Sequence, residues 1–308
     1  MTSRENHISM GVVTNLTTVG SADIDLDRAV LASDAAALAA GVSVREVTDL
    51  AELAGVEALF ATIWGRSANP PMTLELLRAF TKAGNYVGGA FDETSEGMRM
   101  VGACVGFFHA PAEDALHSHI AGVEPGLNGR HVGFALKLHQ RAWALRRGVS
   151  EIAWTFDPLV SRNAYFNVVK LGAHPDEYLP NFYGTMLDSI NGDDDSDRLL
   201  VRWRLRSPQV VAACSGRHTP AAVTDELAAG ATVGLSVSDH GEPEPGDLGG
   251  ATVLVAVPRD IGALRSDDPE LAARWRVAVR EALEPLLSNG GRIDGFDRSG
   301  WYVVRRDR

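Results

Sequence analysis

Cysteine is nearly absent: Cys104 and Cys214 are the only two, far apart and outside any metal-ligand spacing. That excludes a disulfide framework and argues against a zinc site. Cys104 falls in the apolar run Val101–Phe108 and reads as a small buried hydrophobe. Lysine is equally scarce, since 26 of the 29 basic residues are arginine, a bias that carries little functional weight. Positive charge is outnumbered overall, and the net charge of −11 disfavours nucleic acid as a partner, because phosphate binding wants a basic surface. No apolar run reaches the roughly 18–20 residues that a membrane span needs. The first residues lack the basic start and apolar core of a signal peptide, so the expectation is a cytoplasmic protein with no membrane partner.

What is present is an ordinary globular composition, 45% hydrophobic and 22% charged over 308 residues, enough for one large or two modest domains. Residues 1–41 begin polar and turn alanine-rich, which reads as a loosely ordered N-terminal arm with a short helix near Ala29–Ala39. Residues 42–206 read as the first folded unit. A strand over Val42–Val47 leads to Asp49, an N-cap with Glu52 at the reciprocal position. Leu53, Val56, Phe60 and Ile63 then recur at helical spacing, and a second helix covers Thr73–Ala83. Three strand-like runs follow, Tyr86–Phe91, Met100–His109 and Leu116–Val123, separated by short polar breaks as in an antiparallel meander. A loop at Pro125 opens a helix ending near Gly148. A strand over Glu151–Phe156, a helix over Arg162–Leu171 and a strand over Leu199–Arg206 complete the unit.

From Ser207 the texture changes, so residues 207–308 read as a C-terminal α/β extension. It holds a helix near Ala221–Ala229, a helix opened by Asp268-Pro269-Glu270, and strands near Val233–Val237, Val253–Val257, Gly291–Phe296 and Trp301–Val304. The run Asp193-Asp194-Asp195 reads as a solvated turn rather than a cation site.

Chemistry concentrates in the loop Arg130-His131-Val132-Gly133-Phe134-Ala135, which fits Arg/Gln-x-x-Gly-x-Gly/Ala at a strand–loop–helix junction. The first amides of a helix have no intrahelical acceptor and lie at the positive end of its dipole, so they favour an anion such as a pyrophosphate. Gly133 and the small Ala135 let phosphate oxygens approach, and Arg130 can supply a fixed positive charge. Alone the pattern is weak, and a plain tight turn into a helix is the competing reading.

The order strand, two helices, three antiparallel strands, glycine loop, helix, strand, helix, strand makes residues 42–206 resemble the GNAT acyltransferase superfamily. Val123-Glu124-Pro125 resembles the end of that fold's fourth strand, and Ser161–Gly172 its fourth helix, closing here in Leu-Gly-Ala. The stretches Trp154-Thr-Phe-Asp-Pro-Leu, Ser161-Arg-Asn-Ala-Tyr-Phe-Asn, Asn181-Phe-Tyr-Gly, Ser196-Asp-Arg, Val257-Pro-Arg-Asp and Ala273-Arg-Trp-Arg resemble a bacterial subfamily of longer chains, some of them linked to amino-acid N-succinylation. The resemblance implies an α+β fold, a mixed, mainly antiparallel sheet flanked by helices whose fourth and fifth strands splay apart. It implies an acyl-CoA donor (acetyl-CoA, with succinyl-CoA as competitor), a small amine or amino-acid acceptor, and no metal. It also implies cofactor contacts at Val123, Pro125, Arg130, His131, Val132, Gly133, Phe134, Ala135 and Ser161.

Transfer to an amine needs a base with a pKa near 7. His117 and His119 share a strand face by alternation and are candidates, with packing as the bland alternative; Glu124 is the rival. The acid usual in the superfamily is a tyrosine where this chain has Val168. Tyr165 lies about a turn away and can substitute or simply pack. Arg162, Asn163, Asn181 and Tyr183 lie on the implied acceptor side. The main alternative function is a catalytically silent acyl-CoA-binding module. The C-terminal extension either shapes the acceptor pocket or forms a homodimer interface.

Overall fold

The computed structural model describes residues 21–65, 68–95, 97–110, 113–127, 129–184 and 194–306. The fold is α+β, built on two sheets. The larger has seven strands in the order β1-β2-β3-β4-β5-β7-β6. These are β1 Ser43–Glu46, β2 Tyr86–Thr94, β3 Gly97–Phe108, β4 Ala115–Val123, β5 Glu151–Phe156, β6 His174–Leu179 and β7 Arg198–Arg204. All neighbours pair antiparallel except β4 with β5. The smaller sheet has the order β11-β12-β10-β8-β9, from β8 Thr232–Val237, β9 Pro243–Pro245, β10 Thr252–Ala256, β11 Gly291–Asp297 and β12 Trp301–Arg306.

Helix α1 spans Ser21–Ala40, nearly twice the length expected from the alanine-rich stretch. The arm is therefore helical from residue 21, and the rest of it lies outside the described residues. Alanine favours helix at no side-chain entropy cost, and Ala29, Ser33 and Ala40 give α1 a flat face that buries against α4, Val132–Arg146. Helix α2, Leu50–Trp64, starts where Asp49 accepts from the Ala51 and Glu52 amides and ends at left-handed Gly65. The reciprocal half of that cap does not form, because Arg45 takes the Glu52 carboxylate at 2.8 Å. Helix α2 and α3, Leu74–Lys82, cover one sheet face through Leu53, Val56, Phe60 and Leu77, which pack on Val87, Ala103 and Val105. Helix α4 covers the other face.

The expected helix over Arg162–Leu171 is a hybrid. One α turn, α5 at Ser161–Ala164, is continued by a π-helical stretch over Tyr165–Lys170. Strand β6 follows at once; its Pro175 and the adjacent acids Asp176 and Glu177 hid it from the sequence pattern. Past β7, helices α6 Pro208–Cys214 and α7 Val223–Ala228 lead into the smaller sheet. Helix α8, Ile261–Asp267, precedes α9, Pro269–Ser288, which is capped by Asp268 accepting from the Leu271 amide, as its Asp-Pro-Glu start predicts. Helix α9 and β11 pack on β6, joining the two sheets.

Charged side chains fasten that junction. Asp157, just past β5, accepts from Arg276 through both oxygens at 2.8 Å and from Arg265 at 2.7 Å. Asp194 accepts from Arg276 at 3.0 Å and from Arg265 at 3.2 Å, and Arg280 bridges Asp195 and Asp197. The acidic run is therefore not a solvated turn: two of its carboxylates are ion-paired, and Asp193 lies outside the described residues. A low pKa of about 2 for Asp157 follows from Arg276 and Arg265 overcoming the cost of its burial.

Candidate active site

Strands β4 and β5 pair in parallel over three residues only, Ala115 with Glu151, Leu116 with Ile152 and His117 with Ala153. Beyond them β4 continues to Val123 on β3, and β5 continues to Phe156 on β7. The sheet thus opens into a wedge at the carboxyl ends of its two parallel strands, the usual place for a ligand in such a sheet. The Glu124 amide donates to Val101 O on β3 at 2.8 Å. Strand alternation then turns the peptide groups of Val123 and Ala121 the other way, toward β5, where no ladder partner meets them.

The α4 N-terminus stands beside this wedge. Its N-cap, His131, is left-handed at φ 62° and makes no side-chain cap bond. The His131 carbonyl accepts from the Phe134 and Ala135 amides, while Val132 and Gly133 occupy the first turn, where amides have no intrahelical acceptor. A Cβ at Gly133 would meet nothing nearer than Val123 Cγ2 at 3.7 Å, and its φ is not positive. Neither local backbone nor neighbouring side chains require glycine there; the open space faces outward. Val132 and Ala135 are buried, with Phe134 half-buried and Pro125 exposed.

Arg130 is otherwise engaged. Its guanidinium donates to Asp92 at 2.8 Å and to the carbonyls of Ala40 and Gly41 at 3.2 Å, closing the C-terminus of α1. In this arrangement it serves α1 and β2.

His117 and His119 lie on the α2/α3 side of β4, with their rings 5.0 and 5.7 Å from the Phe107 ring and 6.0 Å from each other. Alternation accounts for it, since Ser118 between them turns to Cys104 and Lys137 on the α4 side. The β3–β4 register slips between Val105 and Gly106, leaving His119 as the extra residue of a β-bulge. Bulges re-aim side chains near functional sites. Burial, and then repulsion from His119, His109 and Lys137, pushes the His117 imidazole down to about 4. Burial also lowers the His119 imidazole. Glu124 is held by Arg99 at 2.5 Å in a half-exposed pair.

Val168 is 1% exposed, so the position usual for the acid is plain core. The Tyr165 hydroxyl accepts from Arg298 Nε at 2.9 Å, in the turn between β11 and β12. That turn covers the start of α5: a Cβ on Gly300 would lie 3.9 Å from Ser161 Oγ. Arg162 is exposed beside it and Asn163 half-buried. The Tyr183 hydroxyl meets Thr155 Oγ1 of β5 at 3.0 Å, which brings it to the wedge. Asn181 instead has a structural post. Left-handed at φ 43°, it donates its amide to Asp197 and accepts from the Ser196 amide and hydroxyl.

Sequence reasoning missed one cluster. Lys137 is 5% exposed under α4, donating to Ser118 Oγ at 3.0 Å and Gln140 Oε1 at 2.8 Å, with its ammonium 3.8 Å from the Trp154 ring centre. Among the described residues no carboxylate is bonded to it, and burial lowers its pKa to about 8. The only available signal was a lysine on the apolar face of a helix. Among the described residues no cluster of His, Cys, Asp and Glu could hold a metal, and no helix is long and apolar enough to cross a membrane.

The seven-stranded unit has the element order and the splayed fourth and fifth strands that the GNAT resemblance implies. No protein-family model matches the chain, and no curated protein does. Solved structures do. The ribosomal-protein-S18-alanine N-acetyltransferase from Escherichia coli aligns at 14% identity and a TM-score of 0.42, covering 54% of this chain and 95% of its own. An N-acetyltransferase from Staphylococcus aureus Mu50 aligns at 15% and 0.43, covering 54% and 99%. A GNAT superfamily phosphinothricin acetyltransferase from Sinorhizobium meliloti, in complex with acetyl-CoA, aligns at 14% and 0.43, covering 53% and 87%.

Proposed function

We propose that this protein is an acyl-CoA-dependent N-acyltransferase that moves an acetyl or succinyl group directly to the amine of a small molecule or amino acid. The observation that carries this reading is the wedge between β4 and β5 lying beside an uncapped helix start with open space at Gly133. An extended thioester arm fits a gap lined by unpaired strand peptides, and a pyrophosphate fits free helix amides. When bound, the coenzyme supplies the activated thioester.

The chain's own groups would do the rest. Outward peptide N–H groups of β4 polarise the thioester carbonyl. His119 is the favoured base, because it is exposed on the bulge; His117, pushed to about 4, is too weak at neutral pH to take an ammonium proton directly. The amine attacks the carbonyl, the C–S bond breaks, and the thiolate takes a proton from Tyr165 or from water. Tyr183, Asn163 and Arg162 would face the acceptor, with the fixed Asn181 loop presenting Tyr183.

Buried Val168 and the engaged Arg130 favour one other reading, a module that binds acyl-CoA without transferring it. Calorimetry with acetyl-CoA and succinyl-CoA tests binding; no saturable heat from either would end both readings. Thiol release across a panel of amines and amino acids then separates them, since binding without acceptor-dependent release leaves the silent module. If the transferase reading holds, His119→Gln lowers kcat at least tenfold. The acid limb of kcat/KM, with its midpoint below 6.5, disappears in that variant. An unchanged limb would remove His119 from the mechanism.

A further inference from the structure

The last residues joined across β4 and β5 are His117 and Ala153, so Ser118 and Trp154 are the first on either side of the wedge. Lys137 links this pair from the α4 side. Its ammonium donates to Ser118 Oγ at 3.0 Å and lies 3.8 Å from the Trp154 ring centre. The apex of the wedge therefore lies against a cation. Lys137 follows Gly133 by four residues, on the same face of α4. A Cβ on Gly133 would face Val123, at the free end of β4, and Lys137 reaches Ser118, at its joined end. One face of α4 thus follows the unpaired stretch of β4, with helix amides at the mouth of the wedge and an ammonium at its apex. Packing alone asks for no charge there. Lys137 is 5% exposed, and the atoms it bonds, Ser118 Oγ and Gln140 Oε1, are uncharged. A methionine would fill the same space without the cost of burying an ammonium. The residue type is also informative: the chain uses arginine for 26 of its 29 basic residues and keeps lysine here. Arginine holds its protons, whereas lysine can release one.

We propose that Lys137 is the catalytic acid that stabilises the departing thiolate of coenzyme A and protonates it, in place of Tyr165 or water. The proposal rests on the acyl-CoA reading of the wedge, since a sulfur reaches the apex only if the arm fills the gap inward from the α4 N-terminus. A preorganised cation with no anion beside it stabilises negative charge that develops there. The amine nitrogen bonds to the thioester carbon, the C–S bond breaks, and its electron pair goes to sulfur. Lys137 Nζ gives the sulfur one proton and is left as a neutral amine. His119, on the opposite face of β4, passes the two protons lost by the attacking ammonium to solvent, one before attack and one after. Solvent returns one to Lys137 once the thiol has left, so each turnover releases one proton. Burial lowers the ammonium to about 8, close to the value of about 8.5 for an ordinary thiol, so proton transfer between them is nearly level. The titratable groups close enough to matter, among the described residues, are Cys104 on β3, whose thiol burial pushes up, and His117 on β4, whose imidazole burial pushes down to about 4. Neither supplies a competing anion.

Ultraviolet absorbance of coenzyme A bound to the full chain follows the thiol directly, with the desulfo-coenzyme A complex as the blank. In the native complex the thiol should ionise at least one pH unit below free coenzyme A. In Lys137→Met it should ionise at least one pH unit above the native complex. A lysine that never meets the sulfur would leave the two proteins alike and overturn the proposal. With an acceptor that supports turnover, Lys137→Met should lower kcat at least tenfold and abolish the fall in kcat above about pH 8. It should do so without lowering the urea midpoint at pH 7, which separates lost chemistry from lost structure. An unchanged kcat would remove Lys137 from the reaction. A native complex whose thiol ionises no lower than free coenzyme A would also overturn the proposal, whether or not the variant folds, and would leave the acyl-CoA reading standing. Absence of coenzyme A binding to the native protein would overturn both.

Discussion

At the scale of single residues, Lys137 stands out because no carboxylate among the described residues is bonded to its ammonium. Burial lowers its pKa from 10.5 to about 8, with Ser118, Gln140 and the Trp154 ring as its company. Between those two values the unfolded chain holds a proton that the folded chain has released. Stability therefore rises with pH from about 8 to 10.5, and below about 8 the penalty is constant. At about 1.4 kcal/mol per pKa unit the penalty is of order 3 kcal/mol at neutral pH. Lys137→Met keeps the length and removes the charge. It should raise the urea midpoint at pH 7 by less than that full amount, since Ser118 and Gln140 each lose a partner, and it should flatten the rise above pH 8. Urea titrations from pH 7 to 10.5 measure both. A wild-type profile already flat over that range would mean that the ammonium is better solvated than its surroundings imply.

At the scale of elements, the sequence made the larger sheet legible except for β6 and left the site half legible, for separable reasons. Strands β2, β3 and β4 alternate in a long meander, and α2 and α9 carry caps that their first residues announce. The bulge at His119 could not be read, because an extra strand residue leaves no mark on composition. Nor could the π-helical stretch at Tyr165–Lys170, since its wider winding differs from an α-helix only in which carbonyl each amide reaches. Arg130 matched its motif, yet its guanidinium turned to Asp92 and α1, elements distant along the chain. Gly133 is the motif residue whose surroundings leave it free for a ligand. Gly133→Val should leave the melting temperature within about 2 °C, because nothing crowds its Cβ. The same change should weaken coenzyme A binding at least tenfold by calorimetry, because branched methyls would stand where phosphate oxygens approach helix amides. Unchanged affinity would move the pyrophosphate away from α4.

At the scale of the whole molecule, the short motifs that drew attention to a longer-chain resemblance prove to be the two ends of one joint. Asp157 comes from Trp154-Thr-Phe-Asp-Pro-Leu, Asp197 from Ser196-Asp-Arg and Arg276 from Ala273-Arg-Trp-Arg, and all lie in the ion network between the sheets. Tyr302 adds a hydrogen bond to Pro158 O at 2.8 Å, and Arg298 holds Tyr165. The C-terminal unit therefore grips the chain just past β5, at the lip of the wedge. Arg276 is 2% exposed and pairs with both Asp157 and Asp194, so its loss leaves two carboxylates to share Arg265 in a site with little water. Removing one partner of a buried pair costs about 3–5 kcal/mol. Arg276→Leu should lose that much stability at pH 7 by denaturant unfolding. The loss should shrink as pH falls toward the low pKa of about 2 that Asp157 has where its arginines outweigh its burial, because there the native ion pair is itself lost. Arg276→Leu with Asp194→Asn should recover part of the stability, because one carboxylate is then left for the one remaining guanidinium of Arg265. If that double variant binds coenzyme A as the native protein does, the joint serves stability alone. If it folds but binds at least tenfold more weakly, the C-terminal unit also sets the opening of the wedge.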